Sequence, residues 1–520
     1  MKAKVFISSI MILFTGFIAA ITVAGQNSKS NKDDTSLQDS LKAYTEALAV
    51  IEEKFPGEVN FKNLVDLSID RMLQTLDAHS SYAAPEDYQR MMEDHAGHFF
   101  GIGISISIRN QRVTVMSPME DGPAYKLGIR AGDVIDKIDG ISTQGMGLNE
   151  AVSHIRGPEG ESVKITIRRP GSPEPLEFVV VREKITEDAV PYSFMLNSDT
   201  GYIKMIRFSN TSENELLEAV EKLKKQNAKK MILDLRDNPG GLLSQAINVS
   251  NIFISNGTIV SIRGRDKKDE IKFPARKAAA AAGMPLVVLI NSGSASASEI
   301  VAGAIQDYDR GILVGTTTFG KGLVQSTFPL RNGGAIFLTT AKYYTPSGRL
   351  IQRQYSGFYD YYFDSRLNDQ QANLNPGDKY TTSLGRSVFS GQGISPDIKA
   401  DDNFNIFIGR ILAFSHFYNF ASDYISKNPY ISKNLVMDDK ILADFKTYLK
   451  QKNFEFTDAE FQANKENIKY YIARDLFTQR WNDNEGMLHS IAYDSQVQQA
   501  LKAFDQAGDL LKKSESKKNK

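Results

Sequence analysis

The 520-residue sequence contains no cysteine and only six histidines. The absence of cysteine excludes disulfide bonds, cysteine-ligated zinc, a thiol nucleophile and lipid attachment through a cysteine. So few histidines leave little material for a metal centre, and we predict no metal site. Basic and acidic residues balance at 62 each, so no net field attracts the chain to nucleic acid. Hydrophobic residues make up 41% of the chain, enough for cores in several domains.

The first 25 residues have the pattern of a targeting segment. Two lysines precede an apolar run over residues 5–24, which ends in small residues and passes into a polar stretch. A run of this length can span a bilayer, so the pattern indicates either a signal peptide or a retained membrane anchor. A buried N-terminal helix is the alternative. Export would place the rest of the chain in the periplasm or cell envelope. No later segment is long and apolar enough to span a membrane.

Hydrophobic periodicity predicts a multidomain α+β protein. After a polar linker, residues 41–95 have helical periodicity and predict a helical N-terminal domain. Residues 96–185 contain short strand patterns and glycine turns. Residues 187–400 alternate strand and helix patterns, as in an α/β core, apart from an irregular insertion at residues 353–390. Residues 401–520 predict a helical, aromatic-rich region that ends in a basic tail.

The segment NSGSASASEI places a serine at every second position between an apolar run and an amphipathic one. Ser296 and Glu299 fit a capping box at a helix start, which is the structural interpretation. The functional interpretation is a nucleophile loop, because the N–H groups at a helix start favour a developing oxyanion. The small neighbouring residues would also let a peptide backbone approach closely.

A nucleophilic serine needs a base, and none of the histidines lies in the predicted core. A histidine would have to come from another domain, so lysine is the preferred candidate. Lys321 lies between two glycines in TTTFGKGLVQ. This segment also matches most of a phosphate-binding loop, but Gly322 replaces the required Ser or Thr and a strand pattern follows. To act as a base, Lys321 has to lose its proton near neutral pH, which burial could achieve; a solvated loop lysine is the alternative.

The segment DLRDNPGG follows the predicted strand MILDL. Its structural interpretation is a tight turn before a helix. Its functional interpretation is a glycine turn that presents backbone N–H groups to a developing oxyanion.

In the order and spacing of five segments, the chain resembles the carboxyl-terminal processing peptidases, also called tail-specific proteases: DLRDNPGG, GSASASEIVAGAIQD, GTTTFGKGLVQ, YYTPSGRLIQ and GQGISPD. Upstream, LDAHSSY is similar to the family's LDPHS-type segment, with Ala78 where proline is usual. The resemblance covers residues 41–400. It implies that the chain is a serine endopeptidase with a Ser/Lys dyad on a crotonase-like α/β core.

The resemblance implies roles for particular residues. The family nucleophile corresponds to Ser296 and the family lysine to Lys321, 25 residues later. The glutamine that orients the lysine corresponds to Gln325. The oxyanion hole is similar to one formed by the amide after the nucleophile, Ala297, and by a glycine of the NPGG turn. That glycine is either Gly240 or Gly241.

The family usually carries a PDZ domain before this core, and residues 96–185 are similar to one. The segment GIGISI resembles the carboxylate-binding loop, with Gly101, Ile102, Gly103 and Ile104 as the peptide-binding residues. In such loops, backbone N–H groups bind a peptide C-terminus while the peptide adds a strand to the sheet. A glycine-kinked strand is the alternative interpretation. The segment AGDVIDKIDG, similar to the PDZ turn LxxGDxIxxING, supports the PDZ assignment.

The predicted function is an exported serine endopeptidase that cleaves proteins near or from their C-termini and recognises those C-termini through its PDZ domain. Its partners would be protein and peptide substrates with free C-termini, and it would need no cofactor. Residues 5–24 could attach it to a membrane, and the protein could form a homo-oligomer. Two alternatives are a non-enzymatic PDZ scaffold on an inactive core and an acyl-CoA enzyme with the same core fold.

Overall fold

The computed structural model describes residues 36–169, 172–266, 268, 270–355 and 377–518. The predicted signal peptide or anchor lies outside these residues, as does most of the predicted insertion. In the described part of the chain, no helix has the length and apolarity needed to cross a membrane. The chain divides into two compact units, with the boundary between Ile69 and Asp70.

The first unit contains helix α1 (Leu37–Lys54) and the beginning of helix α2 (Phe61–Gln74). Ser36 caps α1, since its side-chain oxygen accepts a hydrogen bond of 3.2 Å from the N–H of Asp39. This cap starts the helix inside the segment predicted as a polar linker, before the predicted boundary at residue 41.

The second unit continues with strand β1 (Ser81–Ala83) and helix α3 (Pro85–Ala96). Pro85 occupies the first helical position, where a missing N–H costs no hydrogen bond. Gly97 ends the helix in the left-handed conformation, with φ at +76°. Helix α3 therefore stops immediately before the next module.

Residues 98–186 form a small β module in the region predicted to be a PDZ domain. Its elements are β2 (His98–Gly101), β3 (Ile104–Arg109), β4 (Arg112–Pro118), α4 (Pro123–Lys126), β5 (Val134–Ile138), β6 (Ile141–Ser142), α5 (Leu148–Ile155), β7 (Ser162–Arg168), β8 (Leu176–Val181) and β9 (Glu183–Thr186). An antiparallel sheet runs in the order β3-β4-β5-β7-β8, with β6 on β5, while β2 pairs with β9. Strand β3 therefore lies at a sheet edge, open to a further strand.

The next part is an α/β core, as the alternating pattern predicts. Its elements are β10 (Tyr192–Met195), β11 (Thr200–Lys204), α6 (Ser212–Lys225), β12 (Lys230–Asp234), α7 (Leu243–Phe253), β13 (Thr258–Arg263), β14 (Glu270–Pro274), β15 (Leu286–Ile290), α8 (Ala297–Asp307), β16 (Ile312–Gly315), β17 (Leu323–Pro329), β18 (Ala335–Tyr344), β19 (Lys379–Thr381), β20 (Ser387–Phe389) and β21 (Ile398–Lys399). The main sheet runs in the order β10-β11-β12-β15-β16-β21 and is parallel from β11 onward. Strands β19 and β20 form a hairpin within the segment predicted to be irregular.

A second, antiparallel sheet runs in the order β1-β18-β13-β14, and β17 pairs with β18. Through β1 it joins the segment LDAHSSY to the core, since Ser81 lies opposite Phe337. The loop with Lys321 directly precedes β17, so the register of this sheet helps to place the lysine.

The C-terminal region is helical, as predicted. Its helices are α9 (Ile406–Ala413), α10 (His416–Lys427), α11 (Asp439–Gln451), α12 (Asp458–Ala463), α13 (Lys465–Arg480), α14 (Asp483–Ser490), α15 (Ser495–Lys502) and α16 (Phe504–Lys518). Helices α9 to α13 share an aromatic-rich core that includes Phe417 and Phe445, whose rings stack at 5.1 Å.

The two last helices, α15 and α16, pack against the main sheet. Side chains alternate between the faces of a strand. On β12, Leu233 faces the core shared with α6, α7 and α8, while Ile232 faces Val497 and Phe504 of the C-terminal helices. Both faces of the sheet are thereby covered, as nearly continuous apolar strands require.

Candidate active site

The four serines of NSGSASASEI have different environments. Ser294 and Ser298 are fully buried, and their hydroxyls donate to the carbonyls of Leu235 and Asn238 at 2.8 and 2.9 Å. These two serines therefore join the loop to the DLRDNPGG segment. Ser292 lines a cavity of about 340 Å³ on the side toward the C-terminal helices.

Ser296 is half-buried and lines a separate cavity of about 380 Å³. It precedes α8 with φ at +54°, a conformation that is uncommon for a residue with a side chain. Lys321, Gln325, Gly241 and Ala297 line the same cavity. The structure thus brings together the serine, the lysine, the glutamine and two of the backbone positions singled out in the sequence.

Lys321 belongs to a loop that two other segments hold in place. Its amine donates to the side-chain carbonyl of Gln325 at 2.9 Å. The N–H of Gly322 donates to Gln352 of YYTPSGRLIQ at 2.8 Å, and the N–H of Ile394 of GQGISPD donates to Thr318 at 2.7 Å. The segments that carry the resemblance therefore meet around the lysine.

Burial lowers the pKa of Lys321 below its usual value of 10.5, and the negative charges of Glu299 and Asp77 oppose the shift. Burial disfavours the charged amine, which is the effect that a lysine base requires. Among the residues that the structure describes, Lys321 makes no hydrogen bond with the Ser296 hydroxyl, and its amine bonds Gln325 instead.

Glu299 connects the nucleophile loop with the lysine loop. Its carboxylate is fully buried and accepts the N–H of Ser296 at 2.9 Å and the N–H of Lys321 at 2.9 Å. It also accepts the N–H of Gly320 at 2.8 Å and the hydroxyl of Thr318 at 2.5 Å. Burial raises its pKa to about 7 against the effect of these hydrogen bonds. The carboxylate predicted as part of a capping box therefore also fixes the lysine backbone.

The two glycines of the NPGG turn have different environments. The N–H of Gly240 donates to the side chain of Asn238 at 3.0 Å. A Cβ at Gly240 would lie 2.9 Å from the nitrogen of Ala297, so this glycine allows the turn to approach the nucleophile loop. Gly241 lines the cavity. Neither Gly241 nor Ala297 donates its N–H to another residue in the described ranges.

Two histidines lie near the site, although neither belongs to the predicted core. The carbonyl of His79 accepts a hydrogen bond of 2.7 Å from Gln325, and burial together with the charge of Lys321 lowers its pKa to about 4. His95 and Met91, on α3, line the cavity with Ser296. The LDAHSSY motif signalled the first histidine, whereas no sequence signal distinguished His95.

The predicted peptide-binding loop of the β module lies between β2 and β3. Gly103 adopts the left-handed conformation at φ +68°. The carbonyl of Ile102 accepts from Ala124 at 3.0 Å, and within the described part of the chain the N–H groups of Ile102 and Gly103 have no backbone acceptor. Ile104 begins the edge strand β3 and lies partly buried against the module core. This geometry suits a carboxylate at the loop and an added strand beside it.

Three family profiles match the chain. "Peptidase family S41" matches residues 199–358, "PDZ domain" matches residues 114–169, and "Probable PDZ-protease, C-terminal helical domain" matches residues 408–460. With the site described above, these matches define a serine-type peptidase that carries a PDZ domain and a C-terminal helical domain.

Relatives identify the family within this class. A "Carboxy-terminal-processing protease" of Bartonella bacilliformis is 41% identical over 340 residues, which cover 65% of this chain and 78% of the relative. A "Probable CtpA-like serine protease" of Staphylococcus saprophyticus is 33% identical over 344 residues, covering 66% and 69%. The chain belongs to the carboxy-terminal-processing protease family. The predicted family, fold class and enzyme class are thereby confirmed.

A solved structure described as a photosystem II D1 C-terminal processing protease is 27% identical, covers 70% of this chain and 88% of its own, and has a TM-score of 0.38.

Proposed function

We propose that Ser296 is the nucleophile and Lys321 the general base of a protease that cleaves exported proteins near or from their C-termini. The observation that carries the proposal is the shared cavity of Ser296 and Lys321 at a helix start. Neutral Lys321 accepts the proton of Ser296 as the hydroxyl attacks the peptide carbonyl, and later donates it to the leaving amine. Water then hydrolyses the acyl-enzyme. Gln325 orients the amine, and the hydrogen bond between dyad members forms in the substrate complex.

Gly241 and Ala297 are the proposed oxyanion donors. Both residues line the cavity, and their N–H groups have no acceptor among the described residues. Gly240 is not a proposed donor, because its N–H already bonds Asn238. The absence of a side chain at Gly240 instead allows the turn to approach the nucleophile loop. Two preorganised N–H groups near the nucleophile favour the negative oxygen of a tetrahedral intermediate.

The substrate is proposed to be a polypeptide with a free, apolar C-terminus. The loop Gly101–Ile104 would bind its carboxylate while the peptide pairs with β3. Around the dyad, the cavity is lined mainly by apolar side chains, including Met91, Leu243, Leu323 and Phe337. Such a lining favours cleavage next to aliphatic side chains.

We also propose export, directed by residues 1–25, either into the periplasm or as an envelope protein attached through residues 5–24. The apolar run in the sequence supports this location. Cell fractionation of the full-length chain with and without residues 1–25 tests it, and an unchanged cytoplasmic location of both forms would contradict it.

The test of the proposed function is hydrolysis of an unstructured protein by a form of the chain that begins at Asn27. Wild type is compared with Ser296→Ala and Lys321→Ala, with circular dichroism as the control for folding. We expect cleavage by wild type alone, and mass spectrometry should place the cuts toward the substrate C-terminus. Folded Lys321→Ala with retained turnover would contradict the dyad. Absence of cleavage by all three forms, with free apolar peptides added, would support the scaffold alternative.

A further inference from the structure

The start of helix α15 contacts the segment that leads into the turn containing Gly241. Arg236 lies in DLRDNPGG between strand β12 and this turn, and its side chain is about nine-tenths buried. On one side it contacts Asp234 of its own strand. On the other side it contacts Asp494 and Gln496, more than 250 positions later, at the start of α15.

These contacts occupy both ends of the guanidinium. Nε donates to both carboxylate oxygens of Asp234 at 3.0 Å, and Nη2 donates to Oδ2 at 2.6 Å. Nη1 donates to Gln496 Oε1 at 2.9 Å and lies 2.9 Å from Asp494 Oδ2. Asp494 also accepts the N–H groups of Gln496 and Val497 and so caps α15. An arginine held at both ends in this way has a single orientation.

The backbone of Arg236 leads directly into the turn. Lys204 donates to the Arg236 carbonyl at 2.9 Å, and the next N–H, of Asp237, donates to Asn291 at 2.9 Å. Asn238 then donates to the Met205 carbonyl at 2.9 Å and accepts the N–H of Gly240 at 3.0 Å. The orientation of the arginine is therefore connected by consecutive anchored residues to the position of Gly241.

We propose that Asp494 and Gln496 are positioning residues, through which the start of α15 holds Arg236 and, with it, the proposed oxyanion turn of the protease core. The inference rests on the proposed function. Loss of Asp494 would leave one end of a buried guanidinium without its charged partner, and the arginine would shift toward Asp234 or solvent. A displaced turn would weaken the transition state more than it weakens substrate binding, because the oxyanion forms only during the reaction.

The test compares Asp494→Asn with a matched control, Asp438→Asn. Both aspartates cap helices of the C-terminal region, and asparagine caps equally well, but Asp438 caps α11, which packs in the aromatic-rich core and not on the main sheet beside Arg236. We expect Asp494→Asn to lower kcat about tenfold or more, with KM within about twofold of wild type. The affinity of a peptide aldehyde, which forms an oxyanion on Ser296, should fall in the same proportion. Asp438→Asn should change none of these values by more than about twofold.

A second variant tests the inference in case Asp494→Asn does not fold. Gln496→Met keeps the charged pair and removes the neutral contact with Arg236, together with the hydrogen bond of 2.8 Å that Gln496 donates to the Ala400 carbonyl, and we expect a kcat roughly threefold lower at unchanged KM. Asp494→Glu should recover part of the activity. If Asp494→Asn keeps the kcat and aldehyde affinity of wild type, or if it fails to fold and Gln496→Met keeps both, the inference is wrong. If wild type itself shows no Ser296-dependent hydrolysis, the proposed function fails instead.

Discussion

At the residue scale, Glu299 is the side chain that connects the proposed nucleophile Ser296 with the proposed base Lys321. One carboxylate accepts four hydrogen bonds, two of them from the backbone of Ser296 and Lys321. Four donors facing one buried acceptor explain why a carboxylate occupies this place, because an amide would direct its own N–H groups at them.

We therefore predict that Glu299→Gln lowers kcat by about tenfold or more and the free energy of unfolding by roughly 1–3 kcal/mol. Thr318→Ser, which keeps the hydroxyl that donates to Glu299 and accepts from Ile394, should have the smaller effect on both. Steady-state kinetics and urea unfolding of the two variants check this. Equal kcat values for wild type and Glu299→Gln would show that the carboxylate does not hold the dyad.

The pH dependence of activity follows from Lys321. A base works only without its proton, so kcat/KM should rise with pH and level off above the pKa of this lysine. Because burial lowers that pKa, the midpoint of the rise should lie below 10.5. Lys321→Arg keeps the positive charge at every accessible pH and should remain inactive throughout. A midpoint at or above 10.5, or turnover by Lys321→Arg, would contradict Lys321 as the base.

At the scale of elements, local sequence patterns predicted the helices and strands that form through interactions between neighbouring residues. The strand MILDL, the helix after Ser296 and the strand GAIFLTTAKYYT correspond to β12, α8 and β18. The segment GIGISI ends β2 and begins β3, and Ile102 and Gly103 lie between the two strands. The sequence of helix α3 indicates that it is helical, but it does not indicate that His95 lines the cavity of Ser296. That placement depends on β1 pairing with β18, a contact between segments that lie about half the chain apart.

The loop between β2 and β3 gives a prediction for this scale. Gly103 has φ at +68°, and a Cβ there would lie 3.3 Å from Ile185 beside the proposed carboxylate site. Gly103→Ala should weaken binding of a peptide with a free apolar C-terminus by about tenfold. Gly145→Ala is the matched control, since Gly145 has φ at +79° in the same module and open space around it.

Fluorescence polarisation with a labelled peptide measures this binding, and the same peptide with an amidated C-terminus should bind neither form. Hydrolysis of short peptides that cannot reach the module should stay unchanged in Gly103→Ala. Equal peptide affinities of the two glycine variants would contradict binding of the peptide C-terminus at this loop.

At the scale of the whole molecule, the contacts that complete the site are those that local patterns cannot reveal. The motifs predicted Ser296, Lys321 and Gln325, and the structure places all three in one cavity. The distinction between Gly240 and Gly241 required the hydrogen bond of Asn238. The contact of Arg236 with Asp494 joins the end of β12 to the start of α15, and each residue alone has the pattern of a turn residue or a helix cap. Long-range pairing of charged groups leaves no periodic signal in sequence.

At the scale of the whole molecule, helices α15 and α16 also stabilise the folded chain. Tyr202, Ile232, Val287 and Leu289 are fully buried beneath these helices, next to Val314. Burial of each large apolar side chain contributes about 1.5–3 kcal/mol, so uncovering this face would cost roughly 10 kcal/mol, comparable with the whole stability of a domain. A chain that ends at Asp494 should therefore aggregate or unfold, whereas one that ends at Glu515 should behave as wild type. Expression yield, thermal unfolding and binding of a hydrophobic dye measure the difference. Cooperative unfolding of the shorter chain at the wild-type temperature would show that the sheet is stable without its C-terminal cover.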